Sequence, residues 1–153
     1  MPKAKVPHMA KKSLDSETVV VKIITEFSDE LCHDAAVLFA GAGWIGSAKD
    51  GGFLRQALPG SCAVAGAFVG NRLIGMARAL SDGFSDAYIQ DVTTAKEYRG
   101  RGIGSQLVEC LVQELRARGI DWIGLVGVPG TEKFYPSLGF EPQEGYTLYL
   151  RKP

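Results

Sequence analysis

The sequence predicts an α+β fold, in which about four helices flank a central, twisted, mostly antiparallel sheet of six to seven strands. Three apolar runs in the middle of the chain, Cys62–Val69, Leu73–Leu80 and Ala87–Thr94, are separated by short polar turns, as in a meander. The amphipathic segment Gly102–Arg118 then leads into the apolar run Asp121–Val128, which is typical of a β-α-β crossover. Helices and strands are therefore mixed in a way that argues against a doubly wound sheet.

The first third of the chain predicts a strand followed by helices. Thr18–Thr25 is rich in β-branched residues and indicates the first strand. Ser28 is a candidate N-cap for the next helix. Its apolar positions recur at helical spacing: Leu31, Ala35, Leu38 and Ala42. Glycines interrupt the stretch Trp44–Leu58, where a short helix is expected near Gly52–Leu58.

The second half predicts one long helix and two shorter elements. Gly70-Asn71-Arg72 gives the turn of a hairpin. Apolar residues of the long helix repeat every fourth position: Ile103, Leu107, Leu111 and Leu115. Gly119 ends that helix. Thr131–Leu138 is expected to form a short helix, and Phe140–Leu150 a final strand or hairpin.

Length and charge predict a single domain over residues 17–153, preceded by a disordered tail over residues 1–16. The tail carries Lys3, Lys5, Lys11 and Lys12 and shows no periodicity. The whole chain has 17 basic and 17 acidic residues, and the tail holds four of the former and one of the latter, so the body over residues 17–153 carries a net charge of −3. This balance argues against a nucleic-acid or membrane partner, and no apolar run is long enough for a membrane span.

Cysteine and histidine usage excludes several chemistries. The three cysteines, Cys32, Cys62 and Cys110, are too widely spaced for a disulfide scaffold or a zinc site. Only His8 and His33 are present, so we expect no metal. Small thiols in apolar stretches and the lack of a secretory signal favour a cytoplasmic location, and we expect a monomer or a homodimer.

The most informative segment runs from Ala87 to Leu111, where a strand enters the sequence RGRGIG and then the long helix. Alternating glycines let the backbone turn closely, and the first amides of a helix form an anion site suited to phosphate. Arg99 and Arg101 add positive charge there. The alternative is a flexible connection between strand and helix. No Lys-Ser/Thr pair follows the glycines, so this is not a Walker A loop, and the antiparallel context argues against a dinucleotide fingerprint.

Two further features point to the same region. Ile89 and Val92 are three residues apart, so either a bulge lies near Gln90–Asp91 or the strand is buried on both faces. Downstream, the sequence FYPSLGF places Tyr135 on a short helix. Its phenol, with an ordinary pKa of about 10, is a plausible proton donor at neutral pH. The alternative is core packing with the hydroxyl bonded to backbone.

Residues 18–150 resemble the GNAT acyltransferase superfamily in element order and in two motifs. The family's phosphate motif, Gln/Arg-x-x-Gly-x-Gly/Ala, is matched by Arg99, Gly102 and Gly104, and its late tyrosine motif by FYPSLGF. The segments LIGMARALSD, IQDV and LGFEP are similar to serotonin N-acetyltransferase-like members. The resemblance implies a sheet splayed at a bulge and strengthens the prediction of a bulge at Gln90–Asp91.

The resemblance also implies that acetyl-CoA is the co-substrate and that Tyr135 protonates the leaving thiolate. The backbone N–H near Val92 would polarise the thioester carbonyl. Many members carry an Asn early in the segment before the tyrosine helix, whereas this chain has Val128-Pro129-Gly130-Thr131, and Thr131 is a partial substitute. The implied acetyl-CoA contacts are Val92, Thr93, Thr94, Arg99, Gly100, Arg101, Gly102, Ile103, Gly104, Ser105, Thr131, Phe134 and Tyr135.

The expected acceptor is a primary amine of a small molecule, with an arylalkylamine as one candidate. Asp91 is the candidate base or holder of a relay water, and the alternative is that it only orients substrate or caps the bulge. Trp44, Phe53 and Tyr146 are candidate substrate contacts through stacking, and the alternative for each is core packing. Two other functions stay open: a coenzyme A-binding regulatory module without turnover, and a peptide or protein-lysine acetyltransferase.

Overall fold

The computed structural model describes residues 17–153, so the tail expected over residues 1–16 lies outside the described residues. The strands and helices follow one another as β1 (Val20–Ile23), α1 (Asp29–Gly41), α2 (Leu54–Ala57), β2 (Ala63–Val69), β3 (Arg72–Ser81), β4 (Ala87–Thr94), α3 (Ile103–Ala117), β5 (Ile123–Leu125) and α4 (Phe134–Ser137). Short 3₁₀ turns at Ala48–Gly51 and Lys96–Tyr98 precede α2 and α3. Within the described range, no helix is long and apolar enough to cross a membrane.

The strands form one sheet in the order β1-β2-β3-β4-β5. The pairs from β1 to β4 are antiparallel, and β4 pairs with β5 in parallel, as the crossover through α3 requires. The α+β class and the mixed, mostly antiparallel sheet are therefore confirmed.

The predicted count of six to seven strands was wrong, because the sheet formed by residues 17–153 has five. The missing strand is the one expected over Phe140–Leu150, where the structure shows no strand and residues 141–153 are all exposed. The alternating pattern of Tyr146, Leu148 and Leu150 suits a strand, but a strand forms only where an edge pairs with it. The strand and helix expected over Asp121–Val128 and Thr131–Leu138 are present in shortened form as β5 and α4.

Helix α1 begins where the sequence places its cap. The Ser28 hydroxyl accepts a hydrogen bond from the Leu31 amide at 3.2 Å, and Asp29 and Glu30 lie in the first turn, where the helix dipole favours acids. Helix α3 ends at Ala117, and Gly119, directly after the C-cap Arg118, has a left-handed φ of 85°. These local signals fix the ends of the two long helices that cover the sheet.

Two clusters of buried side chains lie on the two faces of the sheet. Alternate residues of β2 and β3 that face α3 are alanines, which allow that helix to pack close to the sheet. They are Ala63, Ala65, Ala67, Ala77 and Ala79. On the other face, Val64 and Met76 pack against α1 and α2. Helix α3 covers one face of the sheet and helix α1 covers the other, so the uncovered part of the sheet lies at β4 and β5.

The predicted bulge is present in β4. The register of β3 and β4 shifts between Met76 and Arg78, so two residues, Asp91 and Val92, lie opposite one. Asp91 adopts a φ of 56°, the only left-handed non-glycine residue in the described range. As a result, Ile89 and Val92 both pack against the cluster under α3. The alternative of a regular strand buried on both faces is therefore wrong.

Candidate active site

The loop between β4 and α3 presents a run of free backbone amides. Gly100 and Gly102 have left-handed φ values of 74° and 75°, and Gly102 is the N-cap of α3 without a side-chain cap. Among the described residues, no backbone carbonyl accepts from the amides of Gly100–Gly102. The next three amides, Ile103–Ser105, lie in the first helical turn and have no intrahelical acceptor. Six consecutive N–H groups with this alternation of backbone conformation form a concave site that fits a phosphate group.

The two arginines of the loop are held in place. Arg99 Nε donates to the carbonyl oxygen of Thr94 at 3.0 Å, which ties the loop to the end of β4. The Arg101 guanidinium lies 5.3 Å from the ring centre of Tyr98. One terminal nitrogen of Arg101 is buried and has no hydrogen-bond partner in residues 17–153. A buried donor without a protein acceptor beside a phosphate-shaped loop fits an anionic ligand.

Tyr98 packs beneath the Arg101 guanidinium and helps to hold it in place. Its ring is fully buried, and its hydroxyl donates to the carboxylate of Glu17. This hydrogen bond and burial raise the pKa of the Tyr98 phenol. Neither Tyr98 nor Glu17 was predicted from the sequence. The aromatic position before RGRGIG was a visible signal, whereas Glu17 lies 81 residues away in sequence.

Beyond the bulge, β4 has an open edge. Its parallel pairing with β5 ends at Ile89 and Leu125, so the strands separate there as the resemblance implied. The Ala95 amide donates to the Ile74 carbonyl at 2.8 Å, so strand alternation turns Thr93 toward β3 and turns Val92 and Thr94 toward the open edge. Thr93 is 8% exposed. Of these three predicted contacts, Val92 therefore offers both of its backbone groups to a ligand, and Thr94 offers its amide, because Arg99 already donates to the Thr94 carbonyl.

Tyr135 lies in α4 and packs against the cluster under α3. Its ring makes edge contacts with Phe134 and Phe140, with centroids 4.9 and 6.0 Å away. Burial raises the pKa of the Tyr135 phenol above its ordinary value. No described residue makes a hydrogen bond to its hydroxyl, so the alternative of a hydroxyl bonded to backbone is not what the structure shows. A protonated, uncommitted phenol fits a proton donor.

Phe134 connects Tyr135 to the loop. Its ring lies against Gly104 in the first turn of α3, where an added Cβ would be 3.4 Å from Phe134 Cζ. Thr131 serves the turn before α4, since its hydroxyl donates to the Val128 carbonyl and its own carbonyl accepts from the Phe134 amide. The Thr131 hydroxyl is thus committed to its own backbone rather than free for a ligand.

Asp91 is part of a polar chain at the bulge. Arg78 Nε donates to Asp91 Oδ2 at 2.5 Å, and a second Arg78 nitrogen donates to the Ser61 hydroxyl at 3.3 Å. Gln90 Nε2 lies 3.4 Å from the same Asp91 oxygen. The Arg78 and Asp91 side chains are only 13% and 20% exposed. Arg78 was missed from the sequence because it lies on a different strand, and the β3–β4 register alone brings it to Asp91.

The aromatic candidates separate into two groups. Trp44 and Phe53 both contact Phe39, with ring centroids 5.0 and 5.9 Å away, and each is 46% exposed. They form one half-exposed cluster, so neither is a fully buried core residue. Tyr146 is 82% exposed and lies in the segment that forms no strand, so the structure does not bring it into this cluster.

Comparison with known proteins agrees with this geometry. The sequence profile of the acetyltransferase (GNAT) family matches residues 31–140, which include the loop, the bulge and Tyr135. The chain belongs to the GNAT family. An uncharacterized N-acetyltransferase, ycf52, from Gracilaria tenuistipitata var. liui is 30% identical over 134 residues, which are 84% of this chain and 72% of that protein.

Other GNAT relatives match a shorter part of the chain. GCN5-related N-acetyltransferase 2, chloroplastic, of Arabidopsis thaliana is 49% identical over 70 residues, covering 46% of this chain and 27% of that protein. Serotonin N-acetyltransferase 2, chloroplastic, of Oryza sativa subsp. japonica is 38% identical over 69 residues, covering 45% of this chain and 34% of that protein. The matched part is thus about a third or less of these plant proteins.

Solved structures share the GNAT fold. A GNAT-family acetyltransferase of Streptococcus pneumoniae has a TM-score of 0.69 at 26% identity, covering 88% of this chain and 100% of that one. The aminoglycoside N-acetyltransferase AAC(6')-Iy, solved in complex with CoA, has a TM-score of 0.70 at 14% identity, covering 90% and 97%. Members of this family use acetyl-CoA, and among residues 17–153 no group of three metal-ligating side chains is found.

Proposed function

We propose that this protein transfers an acetyl group from acetyl-CoA to the primary amine of a small molecule, by direct attack when both are bound. The observation that carries the proposal is the contact of Phe134 with Gly104. It places a protonated phenol, Tyr135, beside a helix whose first amides form an anion site. An enzyme that handles an acyl thioester with a phosphate-bearing carrier needs both features in one site.

Several residues are suited to hold the co-substrate. The amides from Gly100 to Ser105 and the buried Arg101 nitrogen would bind its phosphates, and the open edge of β4 at Val92 and Thr94 would pair with its extended arm. Bound there, acetyl-CoA supplies an activated acyl group. The aminoglycoside acetyltransferase, which has the same fold, was solved in complex with CoA, and this supports CoA as the kind of ligand.

The chain's own groups have distinct roles in this proposal. The Val92 amide, turned to the open edge, is a fixed donor for an oxygen that gains negative charge. Tyr135 Oη holds a proton for the leaving sulfur, and its raised pKa keeps that proton in place at neutral and mildly basic pH. Asp91 accepts from Arg78, so we assign it first to orienting the amine, with proton transfer through a water as the second role.

A small cationic acceptor is favoured by charge. Residues 17–153 carry a net charge of −3, and Asp91 lies at the bulge near the site. Peptide or protein-lysine acetylation is the second candidate, because one plant relative of 46% identity over 70 residues is named a histone acetyltransferase, TAP1, of Glycine max. A binding module without turnover is the third. The cytoplasmic location and the oligomeric state stay predictions.

An amine panel tests the proposal. Purified protein is incubated with acetyl-CoA and aromatic amines, polyamines, free lysine or a histone-tail peptide, and free thiol release is recorded. We expect aromatic amines to exceed polyamines and lysine by at least tenfold in kcat/KM, which is about 1.4 kcal/mol. Preference for the peptide would select the second candidate. No release with any acceptor, together with measurable acetyl-CoA binding, would select the third.

A further inference from the structure

The backbone groups of β4 alternate regularly up to the bulge. The Ala79 carbonyl accepts a hydrogen bond from the Cys62 amide at 2.9 Å, so Ala79 of β3 faces β2. Its neighbour Arg78 therefore faces β4, where it pairs with Gln90. The even-numbered residues of β4 thus face β3 before the bulge, and Val92 would also face β3 if this alternation continued.

The alternation is reversed after the bulge. The Ala95 amide donates to the Ile74 carbonyl at 2.8 Å, so the odd-numbered residues Thr93 and Ala95 face β3 there. The reversal lies in β4, because β3 keeps one alternation throughout. It occurs at Asp91, whose φ is 56°. The left-handed backbone of Asp91 is therefore what turns the Val92 amide toward the open edge.

The side chain of Arg78 holds Asp91 in this conformation. A left-handed backbone is unfavourable for a residue that has a Cβ, so a contact has to stabilise it. Arg78 Nε donates to Asp91 Oδ2 at 2.5 Å, and the two side chains are only 13% and 20% exposed. An ion pair that is shielded from water to this extent is stronger than a pair on the surface.

Arg78 is itself anchored at the end of α2. Its Nη1 donates to the Ser61 hydroxyl at 3.3 Å, and that hydroxyl donates to the Ala57 carbonyl at 2.7 Å. Ala57 is the last residue of α2, and Leu54 and Leu58 on either side of it are fully buried. A chain of hydrogen bonds therefore connects a well-packed part of the core to the bulge.

We propose that Arg78 is a positioning residue for acetyl transfer, which acts through Asp91 to keep the Val92 amide directed at the position of the acyl oxygen. This inference rests on the role that the proposed function gives to the Val92 amide. A fixed donor stabilises the negative charge that develops on an oxygen only if its direction is maintained. Arg78 needs no contact with acetyl-CoA or with the amine for this role.

A double-mutant cycle in kcat tests the role. Glycine adopts a left-handed backbone without strain from a Cβ, so Asp91→Gly should make the bulge independent of Arg78. We expect Arg78→Met to lower kcat at least tenfold at saturating acetyl-CoA and amine, but less than threefold in the Asp91→Gly background. Coenzyme A affinity should stay within twofold. A normal kcat in Arg78→Met, or an equal fall in both backgrounds, would overturn the proposal.

Two amines and a control variant accompany the cycle. Phenethylamine and spermidine are used, and kcat should fall alike for each that is acetylated, because the amide meets the acyl oxygen and not the acceptor. A fall for one acetylated amine and not for the other would assign Arg78 to acceptor binding and overturn the proposal. Arg55→Met removes an exposed ion pair with Asp29, whose side chains are 62% and 80% exposed, and should leave kcat unchanged.

A conservative variant keeps the test valid if Arg78→Met does not fold. Arg78→Lys retains the positive charge and removes the Nε donor that meets Asp91, so it should lower kcat at least threefold. The Asp91→Gly background should again suppress the fall. Thermal melts decide which of the two variants is used, and a normal kcat in folded Arg78→Lys would then overturn the proposal.

Amide hydrogen exchange tests the same assignment without turnover. In the unchanged protein, the Val92 amide should exchange much faster than the Thr93 amide when both are followed by NMR, because only Thr93 faces β3. Arg78→Met should reduce the ratio of the two exchange rates at least tenfold, and adding Asp91→Gly should restore it. The same ratio in all three proteins would overturn the proposal.

The outcomes separate this inference from the proposed function. A reduced exchange ratio in Arg78→Met, with no thiol release from any acceptor in the unchanged protein, supports Arg78 as the residue that holds the bulge and removes acetyl transfer to an amine. Normal turnover in Arg78→Met with an unchanged exchange ratio leaves the proposed function standing and removes the role of Arg78.

Discussion

The Phe134 ring lies against Gly104, with Phe134 Cζ 3.4 Å from the position that a Cβ on Gly104 would take. The residue that follows Phe134 is the proposed acid, and Gly104 carries one of the proposed phosphate-binding amides. A substitution at position 104 should therefore affect both the phosphate-binding amides and the position of Tyr135.

The first prediction concerns that contact. Gly104→Val adds bulk beside the loop amides and presses on Phe134, so we expect most of the coenzyme A affinity to be lost while the protein stays folded. Isothermal calorimetry with coenzyme A and a thermal melt measure the two quantities. Gly52→Val, at a glycine with open space around its would-be Cβ and away from the loop, is the matched control and should leave affinity unchanged. Unchanged affinity in folded Gly104→Val would remove the loop assignment.

The second prediction concerns Tyr135. Tyr135→Phe keeps the ring contacts with Phe134 and Phe140 and removes only the hydroxyl. We expect kcat to fall by roughly 10- to 10³-fold, with acetyl-CoA affinity changed by less than about 1 kcal/mol. The fall can be as small as about 10-fold because a thiolate, whose thiol has a pKa of about 8.5, leaves fairly well even without an acid. A normal kcat would reject Tyr135 as the acid.

The third prediction is a pH dependence with a stated direction. Burial raises the pKa of Tyr135, so its proton is retained at least as far as an ordinary tyrosine, to about pH 10. Activity should therefore rise through about pH 7–9 as the amine substrate loses its proton, and should not decline until above about pH 10. Steady-state rates in overlapping buffers measure the profile. A decline beginning at neutral pH would point to a different acid.

The fourth prediction concerns the bulge. Because Asp91 is left-handed, Asp91→Gly should keep the backbone and remove the carboxylate, whereas Asp91→Ala should unfold more easily by about 1–2 kcal/mol. Denaturant melts compare the two variants. We expect Asp91→Gly to raise KM for the amine and to leave coenzyme A affinity unchanged. Equal stability of the two variants would mean that the left-handed backbone at position 91 does not destabilise a residue that has a Cβ.

The ion pair provides a further comparison within the fourth prediction. Arg78→Met alone leaves Asp91 mostly buried without its cation, so it should destabilise the protein more than Arg78→Met combined with Asp91→Gly. A double-mutant cycle in the same melts gives the coupling free energy. Additive effects would show that the contact does not stabilise the bulge.

The features that could be predicted from the sequence are mainly local. The glycine loop, the cap at Ser28 and the short helix of Tyr135 depend on neighbours in the chain, and the bulge is visible in the spacing of Ile89 and Val92. The polar partner of Asp91 was not predictable, because the β3–β4 register decides which side chain meets it.

The prediction of a last strand was wrong for a related reason. The pattern in Phe140–Leu150 reports strand propensity, but strand formation also needs an edge to pair with, and the sequence does not reveal which edges are available. The contact between the Tyr88 and Trp122 rings was not predicted for the same reason, since these residues are 34 positions apart and meet only through the parallel pairing of β4 and β5.

The alanines beneath α3 have a consequence for how this protein tolerates change. Ala63, Ala65, Ala67, Ala77 and Ala79 set the distance between the helix and the sheet, and the first turn of the same helix carries the loop amides. Each added methyl group would lift the helix and move the amides relative to the edge of β4. Substitutions at these buried positions would thus alter ligand affinity although none of them contacts a ligand. Sequence change in this part of the core is therefore limited by the geometry of the binding loop as well as by stability.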